Sequence, residues 1–118
     1  LPTTVFDWTQ LAVKKTAKGE RRDIIDRPTA TFTNFETHVT TIRAGEEAHP
    51  PHTHPDEEIV VVKEGTLEVT HGGKTERAPA GSVIFYASND RHGMKNIGTT
   101  NATYYVFRLI TPKTPKAQ

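Results

Sequence analysis

Short runs of β-branched and aromatic residues follow one another along this chain, and each is soon cut off by glycine, proline or asparagine. Thr31 to Arg43 carries Phe35, Thr37, Val39 and Thr41 at a period of two and stops at Ala44-Gly45-Glu46. A period of two is the repeat of a strand, whose alternate side chains share a face. Ile59-Val60-Val61-Val62 is apolar on both faces, as expected of a strand covered on two sides. Glu64-Gly65-Thr66 turns the chain, Leu67 and Val69 continue it, and Gly72-Gly73 supplies a tight hairpin. Ala78-Pro79-Ala80-Gly81 turns into Ser82 to Tyr86, and Ile97 to Asn101 turns into Ala102 to Ile110, the longest β-rich run. No stretch reads as a long helix. Such a chain is expected to fold as an antiparallel sandwich or barrel.

At 118 residues the chain has the size of one domain, able to bury about 65% of the surface that its unfolded form exposes. The expected organisation is an N-terminal arm at 1–19, a β-barrel domain at 20–111 and a flexible tail at 112–118. The arm lacks a sustained period and is expected to hold one strand or a helical turn near Trp8 to Val13. The tail is rich in proline and lysine. Fifteen Lys and Arg against fourteen Asp and Glu give a net charge of +1, too balanced to imply a nucleic-acid or membrane partner. No apolar run approaches the ~20 residues that cross a bilayer. The absence of cysteine excludes a disulfide framework and leaves the redox compartment open. A first residue Leu1 rather than Met fits either a trimmed start or a removed targeting segment, so cytoplasmic and exported locations both stand.

Within this β-rich frame lie donors for a metal ion. His52, His54 and Glu58 fall in one short run, and His92 follows 34 positions after Glu58. Imidazole nitrogen and carboxylate oxygen are the donors that a divalent first-row metal takes when no thiolate is present. His52, His54 and Glu58 share a parity, so a largely extended segment would aim all three to one side. Val60 and Val62 would line the same interior, while Ile59 and Val61 would meet a second apolar surface, either another sheet or another subunit. Glu57 is an alternative to Glu58 but faces the other way. His49 is expected in an exposed loop, with a reach to the metal as the alternative, and His71 on the surface beside its hairpin.

The full spacing resembles a known family. Gly45, six residues, His52-x-His54, three residues, Glu58, six residues and Gly65 are similar to the first motif of the cupin superfamily. Gly81, ten residues, His92, three residues and Asn96 are similar to its second, fifteen residues further on. Ala87 and Asn89 stand where the family usually has proline and glycine; Asn89 tolerates a left-handed turn nearly as well as glycine. The resemblance implies an all-β, double-sheet, antiparallel jelly-roll barrel of the small single-domain type, often dimeric. It also implies a divalent transition metal (Mn, Fe, Ni, Co or Zn) held by His52, His54, Glu58 and His92.

The expected function is metal-dependent catalysis on a small polar molecule, of dioxygenase, decarboxylase or isomerase type. The alternatives are a non-enzymatic binding or sensing module that uses the same metal site, and a metal-free barrel. A small-molecule substrate or ligand is the expected partner, with a homodimer suggested by the doubly apolar run at Ile59 to Val62. Glu36, His38 and Tyr86 are candidates for supporting the metal or for acid–base roles. Asn96 is expected to hold backbone near His92.

Overall fold

The structure, a computed structural model, describes residues 1–118. A single 3-10 turn at Trp8–Gln10 is followed by ten strands: β1 Lys14–Thr16, β2 Gly19–Arg27, β3 Asn34–Ile42, β4 Glu47–His52, β5 Glu57–Glu64, β6 Thr66–His71, β7 Lys74–Pro79, β8 Val83–Tyr86, β9 His92–Asn96 and β10 Ala102–Ile110. All pairings are antiparallel. Six strands form one sheet in the order β1-β2-β3-β10-β5-β8, and four form the other in the order β4-β9-β6-β7. The two sheets face each other as a jelly roll. No ladder joins them, so the barrel is bounded by four free edges, β1 and β8 on the large sheet and β4 and β7 on the small one.

Alternation sets the core. Val60 and Val62 of β5 face inward with Tyr104 and Val106 of β10 and Ile42 of β3, against Leu67, Val69, Ala78 and Met94 of the small sheet. Ile59 and Val61 share the outer face of the large sheet with Val83 and Phe85, their partners on β8. Phe107 and Tyr105 of β10 continue that face, being paired with Ile59 and Val61. Trp8 covers part of the same surface: its ring is stacked under Arg22 of β2 and Lys63 of β5, with the cations at 4.3 and 4.4 Å.

Two close fits locate the turns. Gly65, between β5 and β6, has a φ of 83°, and a Cβ there would lie 2.8 Å from the Cα of Ala102. Asn89 has a φ of 62°, the left-handed conformation expected of it. Asn96 is fully buried; its amide donates to the carbonyls of Ile42 and Thr100 and accepts from the Gly98 N–H. It therefore ties β9 to β3 and closes the turn after it.

The structure departs from the sequence reading at the ligand run. His52 to Glu58 is not one extended segment whose parity aims three side chains together. β4 ends at His52, the chain bends through Thr53 to Asp56, and β5 begins at Glu57 in the opposite sheet. Pro50 and Pro51 fit within β4 because it is an edge strand, with register shifts against β9.

Candidate metal centre

Two polar rows face each other across one end of the barrel interior. On the large sheet, Glu36, Arg108, Glu58 and Tyr86 are direct cross-strand partners on β3, β10, β5 and β8. On the small sheet, His52, His92 and His71 are direct partners on β4, β9 and β6. His54 hangs between the sheets on the bend that joins β4 to β5. That bend is tied down by the Asn89 N–H on the His54 carbonyl and the Ser88 hydroxyl on the Pro55 carbonyl.

The four residues singled out by spacing meet here, although they do not form one tight set. The donor atoms of His54, Glu58 and His92 lie within 4.8 Å of one another, as do those of His49, His52 and His92. The ring centres of His52, His54 and His92 are 4.9 to 5.2 Å apart. A metal bound at ~2.1 Å lies ~3.2 Å from each ring centre, so rings ~90–110° apart around it have centres ~4.5–5.2 Å apart. The observed spacing fits that range.

Hydrogen bonding selects the donor nitrogens. His54 Nδ1 is 2.8 Å from the Asp56 carbonyl, and His92 Nδ1 is 3.0 Å from the Asp90 carbonyl. A carbonyl only accepts, so Nδ1 carries the proton in both rings and Nε2 carries the lone pair. Both Nε2 atoms are buried without a hydrogen-bond partner. His54 Nε2 faces Glu58 Oε1 at 3.2 Å. A lone pair and a carboxylate oxygen this close repel unless a cation or a proton lies between them, so the donor set fits a metal ion.

The surroundings tune these groups. Burial raises the Glu58 carboxyl above its ordinary range, against the pull of His54 and Arg108. His52 stands at the exposed rim of the cluster, where partial desolvation, then the charges of His49, His92 and His54, pulls it down to about 4. Burial likewise lowers His92. Arg108 holds Asp56 through two hydrogen bonds of 2.6 and 3.2 Å, and Asp56 in turn accepts from His54, so Arg108 steadies the His54 ring from one step away. Tyr86 stacks on His92 with ring centres 3.9 Å apart, and its buried hydroxyl has no partner. Burial and the nearby Glu58 raise that hydroxyl, which therefore stays a donor.

Glu57 is exposed and Glu58 buried, as parity predicts. His49 is the residue that sequence reasoning underrated: it lies in β4, not in a loop, and stacks on His52 at 3.8 Å. Its odd separation from His52 gives no signal of this in a strand; the register shift between His49 and His52 brings the two rings together. His71 is half-exposed, pairs with Glu76 at 2.5 Å and borders a cavity of about 340 Å³ that reaches Tyr86 and His92. A second cavity, of about 360 Å³, lies on the other flank, beside His49 and His38.

Comparison with known proteins agrees with this architecture. The Cupin_2 family model, described as a cupin domain, matches residues 38–108. No curated protein matches the sequence. Among solved structures, the polyketide cyclase RemF from Streptomyces resistomycificus is similar at a TM-score of 0.74 and 20% identity, over 98% of this chain and 86% of that one. An RmlC-like cupin from Shewanella frigidimarina gives 0.73 and 16%, over 92% and 91%. A predicted oxalate decarboxylase from Thermotoga maritima gives 0.71 and 19%, over 91% and 99%.

Proposed function

The chain belongs to the Cupin_2 family, and from that premise we propose that it is a metal-dependent enzyme acting on a small polar molecule, with His52, His54, Glu58 and His92 as the metal's ligands. The observation that carries this reading is the pair of buried, unpartnered Nε2 atoms of His54 and His92 beside the Glu58 carboxylate. A proton shared by His54 Nε2 and Glu58 Oε1 would relieve their 3.2 Å approach but leave the His92 lone pair unused, whereas a metal ion would engage all three. A bound divalent metal would polarise a substrate oxygen and leave one or two positions open. Three imidazoles and one carboxylate suit Mn, Fe, Ni, Co or Zn.

The chain's own residues supply the rest. Asp56 and Asp90 carbonyls hold the two imidazoles in the metal-binding tautomer. Tyr86 offers a protonated hydroxyl beside His92, and the inward valines of β5 and β10 keep the floor of the site apolar. The work this site could do is dioxygenase, decarboxylase or isomerase chemistry.

We infer a homodimer as the assembly. Val83 and Phe85 are 67% and 57% exposed on the outer face of the large sheet, next to Ile59 and Val61. A second copy packed two-fold on the same strip would cover both at once.

The test is a cobalt(II) titration of the metal-stripped protein, read by visible absorption and calorimetry. One ion per chain with a d–d spectrum is expected. Glu58→Gln and His92→Ala are each expected to weaken binding at least about tenfold, the lower end of what outer supporting groups alone cost. Stoichiometric binding untouched by either change overturns the assignment. A molecule that stabilises the loaded protein and is returned unaltered points to a binding module instead.

A further inference from the structure

The site leaves one imidazole–carboxylate pair unused. His38, buried on the inner face of β3, has its Nδ1 2.6 Å from Glu36 Oε1. The same oxygen receives Arg21 Nη2 at 3.0 Å, and Arg21 Nε is fixed in turn on Asp23 at 2.7 Å. A carboxylate held by a guanidinium is the acceptor, so His38 Nδ1 is the donor and Nε2 is the nitrogen left to take a proton. Glu36 Oε2 is buried with no partner, so this carboxylate serves His38 and Arg21 and nothing else. The exposed pair of His71 and Glu76 has no comparable third member, and its carboxylate side chain is 66% exposed.

His38 lines the 360 Å³ cavity together with Lys18, Arg21, Tyr104 and His49, and no carboxylate lines it. His49 is stacked on His52, so the cavity reaches the edge of the histidine cluster. Lys18 Nζ sits on the Glu47 carbonyl at 2.5 Å and makes no ion pair, which leaves one uncompensated positive charge in the wall. Tyr104 is pushed up to about 12 by burial and remains a neutral donor.

We propose that His38 is the proton-transfer residue of this site, acting from that cavity on a small anionic carbonyl compound with an acidic C–H bond. The substrate C–H bond breaks, its proton forms an N–H bond at His38 Nε2, and the electron pair stays on the substrate as an enolate. Return of the proton to the α-carbon restores the carbonyl compound, and where that carbon also bears a hydroxyl the resulting enediolate can take the proton at either carbon, so no oxidant, reductant or second reactant is consumed. Glu36 faces the imidazolium formed in between, and Arg21 keeps Glu36 in place. The inference rests on reading the barrel interior as catalytic; it does not depend on the cation.

The experiment follows C–H loss by proton NMR in deuterium oxide, with 2-oxobutyrate, 2-oxoglutarate and dihydroxyacetone phosphate as probes. It is run on the protein as purified and after chelation, with metal content measured in both. Exchange above the buffer rate is expected for at least one probe, falling about 100-fold in His38→Gln and less in Glu36→Gln. Imidazole nitrogen NMR of the unmodified protein is expected to find His38 protonated at Nδ1. Exchange that persists in His38→Gln, no exchange with any probe, or a proton on Nε2 alone overturns the proposal. Stoichiometric metal with exchange indifferent to His38 sinks this inference alone, whereas His38-dependent exchange with no metal bound sinks only the cation reading.

Discussion

At the scale of single residues, the site is a balance between burial and charge. The metal-free chain should feel this as pH changes. His52 is lowered to about 4 and His92 is lowered as well, both first by burial. Unfolded imidazoles protonate near ~6.5. Between that pH and about 4 the unfolded chain binds more protons at these two positions than the folded one, so folding stability falls as the solution is acidified. Glu58 works the other way, because burial raises it and the folded state keeps its proton longer, but it is one group against two. The melting temperature of the stripped protein should therefore decline from pH 6.5 towards 4, and His52→Gln should flatten the decline. A melting temperature that climbs as pH drops across this interval contradicts the account. That His52, His54, Glu58 and His92 would cluster was legible in the sequence from their spacing. The hydrogen bonds that choose Nε2 were not: they come from the carbonyls of Asp56 and Asp90, whose direction depends on backbone path.

At the scale of elements, turns decide whether the strands arrive in register. Gly65 and Gly45 both have positive φ, 83° and 81°, but only Gly65 is crowded. A methyl group there meets the backbone of Ala102 and Asn101, whereas at Gly45 it meets open space. Gly45→Ala should cost about 1 kcal/mol, the handedness penalty alone. Gly65→Ala should cost about 3 kcal/mol once overpacking is added. Urea denaturation of the two variants checks the difference, and equal midpoints would remove the packing argument. Strands with clear alternation, such as β3, β5 and β10, could be read in advance. β2 could not, because Glu20, Arg21, Arg22 and Asp23 hide its period, and β4 could not, because prolines rarely sit in strands. Without a strand at β4, the sequence pattern puts His49 in a loop.

At the scale of the molecule, the outer face of the large sheet stands out. Ile59, Val61, Val83 and Phe85 form an apolar strip whose β8 half is mostly exposed. If two copies share this strip, sedimentation at micromolar concentration should give a dimer, and Phe85→Glu should give a monomer with the same fold. A wild-type chain that sediments as a monomer removes the assembly. The double apolarity of β5 announced this surface in the sequence; the partial cover by Trp8 depended on the arm's tertiary path.

The missing ladders between the two sheets have a further consequence. With seams on both flanks of the histidine cluster, two separate clefts open beside it, with no lining residue in common. One cleft is walled by Lys18 and His38, the other by Tyr86 and His71. A molecule held in the first leaves the second unfilled, so the two flanks can take up ligands independently.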